Sequence, residues 1–233
     1  MPLKRLRRFF QQGYNVSPLS TPKAVIFDWD NTLIDTFPIL YRALNATLLE
    51  FGLEAWPFEK VKQSTHHSLK DSFPILFGQN ALKARDYFYY TYSVEKEGKL
   101  FPLPGAEDLL KLFASNGLYM AVVSNKVGDE LRSEAEYLGW SSYFTHIIGS
   151  LDCPQDKPSA VCVDVALSGH EESNLFRQDV WFVGDSLADY SCAVNSGCKP
   201  ILVDKIEAQI NDPYWLFDGC QELLAYCKNL IIK

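Results

Sequence analysis

AVIFDWDNTL, at residues 24–33, joins an apolar run to two carboxylates that are two positions apart. An uninterrupted apolar run is typical of a buried parallel strand, and open α/β sheets bind their ligands beyond the carboxyl ends of such strands. Asp28 and Asp30 repel each other unless a cation neutralises them or one of them holds a proton. Either arrangement suits catalysis better than structure. Taken alone, the segment is equally compatible with a strand that runs into an ordinary acidic turn.

Three further polar motifs follow along the chain. SNK at 124–126 and GDSLAD at 184–189 each come after an apolar run, and DKPS at 156–159 lies in a loop rich in Asp, Cys and Pro. With all these motifs in order, the chain resembles the haloacid dehalogenase-like hydrolase superfamily over about residues 23–205. The motifs of that superfamily are DxDx[TV], a Ser or Thr after the second strand, a Lys, and an acidic motif of the GDxxxD type. SNK is similar to the corresponding motif of phosphoglycolate phosphatase-like members.

The alternation of short apolar runs with longer helix-like segments predicts an α/β fold, in which a Rossmann-like parallel sheet carries helices on both faces. The predicted strands are Ala24–Phe27, Tyr119–Val123, His146–Ile148, Val180–Val183 and Ile201–Val203. The predicted helices are Ala106–Ser115, Asp129–Leu138, Ser159–Ser168, Leu187–Ser196 and Gly219–Leu230.

The insertion between the first two predicted strands, at 36–101, is too long for a single crossover helix. Leu40, Leu44, Thr47 and Leu48 recur at helical spacing in it, which predicts a small helical domain. The core domain is then composed of 23–35 and 102–233. In the resembling superfamily this position holds a helical cap of the C1 type, which closes over the active site.

Residues 1–22 form a basic extension that contains Lys4, Arg5, Arg7 and Arg8 and no acid. A targeting or anionic-surface segment is the alternative interpretation. The segment lacks the apolar core and the small-residue cleavage pattern of a secretory signal, which favours a plain extension.

Composition restricts the class of partner. The net charge of −7 and the pI of about 5.1 argue against a nucleic-acid partner, because phosphate backbones are bound mainly by clustered Lys and Arg. No apolar stretch approaches the roughly 18 residues of a membrane helix, so we expect no membrane partner. The six cysteines include no C-x-x-C pair and are expected to be reduced thiols in a cytoplasmic protein, most of them buried. A small phosphorylated metabolite remains the expected partner.

Phosphoryl transfer needs a nucleophile, a proton donor for the leaving oxygen, and positive charge around the phosphoryl oxygens. By resemblance, Asp28 is the nucleophile that forms an aspartyl-phosphate. Asp30 is the general acid, and it then acts as the base that activates water.

The resemblance also implies Mg²⁺, held by Asp28, Asp185 and the backbone carbonyl of Asp30. Mg²⁺ prefers oxygen ligands and is commonly bound by one or two carboxylates plus a substrate phosphate. Asp189 lies four positions after Asp185 and is expected to orient the metal or its water. The alternative for Asp189 is an acid that stabilises the N-terminus of a helix.

Three residues are expected to bind the phosphoryl group: Ser124 through its hydroxyl, Asn125 through its backbone amide, and Lys157 through its charge. Ser124 is alternatively a helix N-cap, and Lys157 a solvated surface charge. Thr32 is expected to orient the loop that follows the first strand. Asn31 occupies the place where many relatives have Gly, and this place is compatible with a left-handed residue.

Within the insertion, the candidates for contacting the rest of the substrate are His66, His67, Lys70 and Arg85, each of which is alternatively a solvent-facing helix residue. The aromatic run at 87–92 either lines an apolar pocket or packs the core of the insertion itself.

These residues predict a Mg²⁺-dependent phosphatase that hydrolyses a small organic phosphomonoester. A sugar-phosphate mutase on the same scaffold and a non-catalytic binding protein of the same fold are the alternatives. A dehalogenase is disfavoured, because Asp30 supplies the second acid that dehalogenases of this superfamily lack.

Overall fold

The computed structural model describes residues 18–64, 69–168, 175–206, 210 and 214–231 of the 233-residue chain. The chain divides into two compact units. The core unit combines Met1–Leu33 with Pro102–Lys233, and the helical unit is Ile34–Phe101.

The described part of the helical unit contains α1 (Phe37–Glu50), α2 (Phe58–Ser64), α3 (Leu69–Phe77) and α4 (Ala81–Lys96). Helices α3 and α4 pack through aromatic rings, with the Phe73 and Phe88 centroids 5.7 Å apart. Phe88 and Tyr92 from the aromatic run are both buried. These two members of the run therefore pack the unit's own core, which was one of the two predicted roles, whereas Tyr90 is 67% exposed.

A parallel sheet is the centre of the core unit. Its strands are β1 (Ala24–Phe27), β2 (Tyr119–Val127), β3 (His146–Ser150), β4 (Val180–Gly184), β5 (Lys199–Leu202) and β6 (Trp215–Leu216). They lie in the order β3-β2-β1-β4-β5-β6, and every neighbouring pair is parallel. The chain therefore builds outward from β1 to β3 and then returns to the other side of β1. Such a reversal opens a crevice at the carboxyl ends of the strands, where α/β proteins bind their ligands.

Helices cover both faces of this sheet: α5 (Ala106–Ser115), α6 (Gly128–Tyr137), α7 (Val161–Ala166), α8 (Leu187–Ser196) and α9 (Gly219–Ile231). Side chains alternate along β1, so Ile26 packs in a core with Val163 of α7 and Ala193 of α8. Phe27 points to the other face, where its ring lies 6.1 Å from that of Phe113 in α5. This arrangement confirms the predicted α/β fold with a parallel sheet.

The structure differs from the prediction mainly at element ends. Strand β2 continues through the SNK motif to Val127 instead of ending at Val123, so Ser124 is a strand residue and not a helix N-cap. The helix predicted over Ser159–Ser168 is shorter, at Val161–Ala166. The short edge strand β6 was missed, because its two residues are too few for a periodic pattern.

Candidate active site

The carboxyl ends of β1 and β4 bring the two predicted metal-binding aspartates together. The backbone N–H of Asp28 donates to the carbonyl of Val183 at 2.8 Å, which continues the β1–β4 pairing to the first carboxylate. The hydroxyl of Thr32 lies 3.3 Å from Asp28 Oδ2 and 3.2 Å from Asp185 Oδ1. Thr32 therefore links the two carboxylates.

Asp28, Asp185 and Asp189 form an acidic cluster in which one oxygen of each lies within 4.8 Å of the others. Burial raises the pKa of Asp28 to about 6, and the nearby charge of Asp189 adds to this rise. Burial and the charges of Asp189 and Asp28 also raise the pKa of Asp185. The cluster is thus short of positive charge, and its all-oxygen donor set is the type that binds a hard divalent cation.

Lys157 lies inside this cluster and is only 4% exposed. Its Nζ is 2.5 Å from Asp28 Oδ1 and 2.6 Å from Asp189 Oδ1. Burial lowers the pKa of this ammonium group, but the charges of Asp189 and Asp28 outweigh that effect and raise it. Lys157 is therefore a buried cation and not a solvated surface charge.

Asp189 takes the second of the two roles that the sequence left open, at the N-terminus of a helix, and it also contacts Lys157. With Ser186 it forms a capping box at the start of α8: Asp189 Oδ2 accepts from the Ser186 backbone at 3.0 Å, and Ser186 Oγ accepts from the Asp189 backbone at 3.3 Å. Its other oxygen accepts from Lys157. A Cβ at Gly184 would collide with the Asp189 side chain, so the Gly of the GDSLAD motif allows this close approach.

Asn125 fixes the loop that carries Lys157. Its side-chain oxygen accepts from the Lys157 N–H at 2.9 Å, and its side-chain NH₂ donates to the Lys157 carbonyl at 3.2 Å. The sequence pointed to the backbone amide of Asn125, and this side-chain contact was missed. Ser124, buried on the same strand, accepts from the Lys126 N–H at 3.3 Å.

The carboxylate of Asp30 lies in a second charged group that the sequence did not predict. Lys126 Nζ is 2.7 Å from Asp30 Oδ1 and 2.9 Å from Glu134 Oε2. Trp29 Nε1 donates to the same Glu134 oxygen at 2.8 Å. Asn31, which follows in the turn, has a φ of 59°, in agreement with the left-handed conformation foreseen for it.

The candidates in the helical unit stand as follows. Arg85 is 42% exposed and pairs with its neighbour Asp86 at 3.3 Å, and Lys70 is exposed. His66 and His67 lie outside the described residues.

Residues 25–203 match the sequence family described as haloacid dehalogenase-like hydrolase. The chain belongs to this family. Among its curated relatives is a phosphoglycolate phosphatase of Yersinia pestis, 31% identical over 189 residues, which are 77% of this chain and 79% of the relative. The resemblance inferred from the motifs is confirmed.

Solved structures agree with the assignment. A haloacid dehalogenase-superfamily hydrolase from Ehrlichia chaffeensis is 29% identical, covers 92% of this chain and 100% of its own, and has a TM-score of 0.62. A haloacid dehalogenase-like family hydrolase from Streptococcus pneumoniae has a TM-score of 0.74 at 22% identity, with 89% of this chain and 99% of that chain covered, and it supports the fold.

Family and relatives identify this haloacid dehalogenase-like hydrolase as an enzyme of the phosphatase type. All six of its cysteines are described, and they are free and buried. No described helix has the length and apolar character needed to cross a membrane.

Proposed function

We propose that this hydrolase cleaves a small organic phosphomonoester in the cytoplasm, with Mg²⁺ as cofactor and an aspartyl-phosphate on Asp28 as intermediate. The observation that carries the proposal is the acidic cluster at the switch point of the sheet, with Lys157 bridging Asp28 and Asp189. A phosphate dianion would be repelled by these carboxylates alone, so the cluster requires cations at the same place.

The proposed ligands of the metal are the carboxylates of Asp28 and Asp185 and the backbone carbonyl of Asp30. Asp189 is proposed to orient the metal from the N-terminus of helix α8. The all-oxygen set and the raised pKa values of Asp28 and Asp185 support this assignment, because both carboxylates ionise more readily beside a cation. When bound, the ion offsets negative charge and polarises a phosphoryl oxygen.

In the first half of the proposed reaction, a carboxylate oxygen of Asp28 attacks phosphorus as the bond to the leaving oxygen breaks. Asp30 gives its proton to that oxygen, so the alcohol leaves neutral. In the second half, the ionised Asp30 takes a proton from water as the water oxygen attacks phosphorus. The bond from phosphorus to Asp28 breaks, inorganic phosphate is formed, and Asp30 again holds a proton.

The remaining phosphoryl oxygens have three proposed partners: the hydroxyl of Ser124, the backbone amide of Asn125 and the ammonium group of Lys157. Two of these groups are held in place by the protein itself: Ser124 by burial on β2, and Lys157 by its two carboxylates and by the side chain of Asn125. Such preorganisation supports transition-state stabilisation, because no dipole has to be reoriented during the reaction.

We propose that the core domain, 23–35 with 102–233, performs this chemistry and that 36–101 acts as a cap that selects the substrate. The phosphoglycolate phosphatases among the relatives support a small, anionic ester as substrate. The buried, free cysteines support a reducing compartment.

Phosphate release from a panel of esters that includes 2-phosphoglycolate, with Mg²⁺ or with a chelator, tests the proposal. We expect turnover of at least one small ester that depends on the metal and is absent in Asp28→Asn. Asp108→Asn, at an exposed acid in the first turn of α5, is the matched control and should retain wild-type activity. Metal-dependent turnover at the wild-type rate by Asp28→Asn would contradict the covalent mechanism.

A further inference from the structure

We propose that Lys126 is a positioning residue that holds the carboxyl group of Asp30 in place for proton transfer. The inference rests on the proposed function, in which Asp30 is the acid and then the base. It assigns to the last residue of the SNK motif a part that acts through Asp30 and not on the substrate.

Asp30 needs a fixed contact more than its neighbours do. Its side chain is 21% exposed, whereas those of Asp28 and Asp189 are 8% and 1% exposed. A side chain at an open turn has several rotamers available, but a general acid must lie within about 2.6–3.2 Å of the atom that receives its proton. The contact of Lys126 with Oδ1 restricts the rotamer, and the proposal assigns the transferred proton to Oδ2.

Lys126 is itself held rigidly. Its side chain is 6% exposed. It contacts Glu134 of helix α6, whose side chain is fully buried. Glu134 accepts from Lys126 and from Trp29 through the same oxygen, Oε2. An ammonium group on a long, flexible stem thus has little freedom to move.

These contacts form a closed ring. Asp30 contacts Lys126, Lys126 contacts Glu134, and Glu134 contacts Trp29, which is the chain neighbour of Asp30. The ring ties the end of β1, the end of β2 and helix α6 to a single geometry. A displacement of about 1 Å in such a constellation is enough to lower a rate by about two orders of magnitude.

Stability alone is a poor explanation of the ring. A buried ion pair contributes little net stability compared with apolar residues of similar size, because both charges must leave water. Lys126 donates directly to Asp30 and so fixes the position of that carboxyl group. An apolar side chain at 126 could not do so.

The first test is Lys126→Met, compared with Lys111→Met, which breaks an exposed ion pair with Glu107 on α5. With an alkyl phosphate, we expect Lys126→Met to lower kcat about 10- to 100-fold, in the range of a misplaced acid–base group, and Lys111→Met to leave it unchanged. With p-nitrophenyl phosphate, whose leaving group needs no proton, formation of the aspartyl-phosphate should stay fast while its hydrolysis slows. A burst of about one equivalent of nitrophenolate per enzyme is then expected.

The second test is a double-mutant cycle with Asp30→Asn. If Lys126 acts through Asp30, Lys126→Met lowers the activity of Asp30→Asn by less than twofold. An undiminished effect in that background would mean that Lys126 acts on the substrate or on the fold, and it would overturn the inference.

A third variant distinguishes a loss of stability from a loss of positioning. Lys126→Met combined with Glu134→Met replaces the buried pair by apolar side chains of similar length, which often restores stability. We expect it to unfold at a higher temperature than Lys126→Met and still to show the burst. Recovery of wild-type turnover together with stability would show that the ring is only structural.

The failures are distinguishable. If the wild-type enzyme releases phosphate from no ester, the proposed function and this inference fall together. If the wild type is active and Lys126→Met shows neither a slower kcat nor a burst, the inference alone is overturned.

Discussion

Two buried lysines flank the turn that follows β1 and carries Asp28 and Asp30, and each lysine bridges a pair of carboxylates. Lys157 reaches the site from a loop and contacts Asp28 and Asp189, whereas Lys126 extends from strand β2 and contacts Asp30 and Glu134. Both side chains are nearly inaccessible, at 4% and 6%. The first lysine lies among the groups proposed to bind metal and phosphate, and the second contacts the proposed proton carrier. Under the proposed mechanism, the turn therefore separates bond making at Asp28 from proton transfer at Asp30.

The sharpest test of this separation is Asp28→Asn against Asp30→Asn. We expect Asp28→Asn to reduce kcat to background, a loss of about 10⁴-fold or more, because the amide has no nucleophilic oxygen of comparable reactivity. Asp30→Asn should lose about 10²- to 10⁴-fold with alkyl esters and less with p-nitrophenyl phosphate. Steady-state kinetics with an alkyl ester and with p-nitrophenyl phosphate measures these losses. Equal losses for both variants on both substrates would contradict separate roles for Asp28 and Asp30.

The side chains that bind the metal should all belong to the group around Lys157, and Asp30 should contribute only its backbone carbonyl. Mg²⁺ at one hundred times its Kd is expected to stabilise the folded wild type by about 2.7 kcal/mol, and chelation should abolish activity. Asp185→Asn should lose both responses while unfolding at a higher temperature than the metal-free wild type, because it removes one of the crowded charges.

Thermal unfolding with and without Mg²⁺ measures these effects, and Lys126→Met is the informative comparison. It should retain the metal-induced rise in Tm. If Mg²⁺ raised the Tm of Asp185→Asn as much as it raises the Tm of the wild type, the acidic cluster would be excluded as the metal site.

The two lysines should also differ in their effect on stability. Lys157→Met leaves Asp28 and Asp189 buried without a cation, and we expect the free energy of unfolding to fall by about 3–5 kcal/mol. Lys126→Met should cost less, because Asp30 is partly solvated and only Glu134 is left deeply buried. Urea unfolding in chelator compares the two, and the reverse order would show that the Lys126 side carries more of the stability.

The smallest expected effects lie in the helical unit. Among His66→Ala, His67→Ala and Arg85→Ala, we expect at least one to lower kcat/KM for the best natural ester about tenfold, or 1.4 kcal/mol. The same variant should hardly alter kcat/KM for p-nitrophenyl phosphate, which needs few cap contacts. No change in any of the three, with either substrate, would show that none of these side chains contributes to substrate selection.

Local patterns explain why so much of the core could be predicted. The apolar runs of β1 and β4, each followed at once by a carboxylate, indicate buried strands and the edge where Asp28 and Asp185 meet. Lys157 could be found because the family keeps a Lys in the loop after the third strand, although its two partners could not be read from the sequence alone.

The Lys126 side left no comparable signal. Trp29 and Glu134 are 105 positions apart, and Asp30 and Lys126 are 96 apart. Glu134 lies on a helix with other acidic residues and resembles a solvent-facing position until the fold buries it. Contacts of this kind depend on tertiary packing, and the periodicity of a single segment does not predict them.

The paired hydrogen bonds of Asn125 have a consequence for how this enzyme tolerates change. The amide matches both the N–H and the carbonyl of Lys157, much as two complementary bases match, and a carboxylate at 125 could satisfy only the N–H. The position of the ammonium group is therefore tied to the neighbouring strand through the backbone of Lys157 itself. Position 125 should accordingly tolerate few other side chains, whereas the preceding loop is held separately, by the buried Cys153 and by the contact of Asp152 with Arg132.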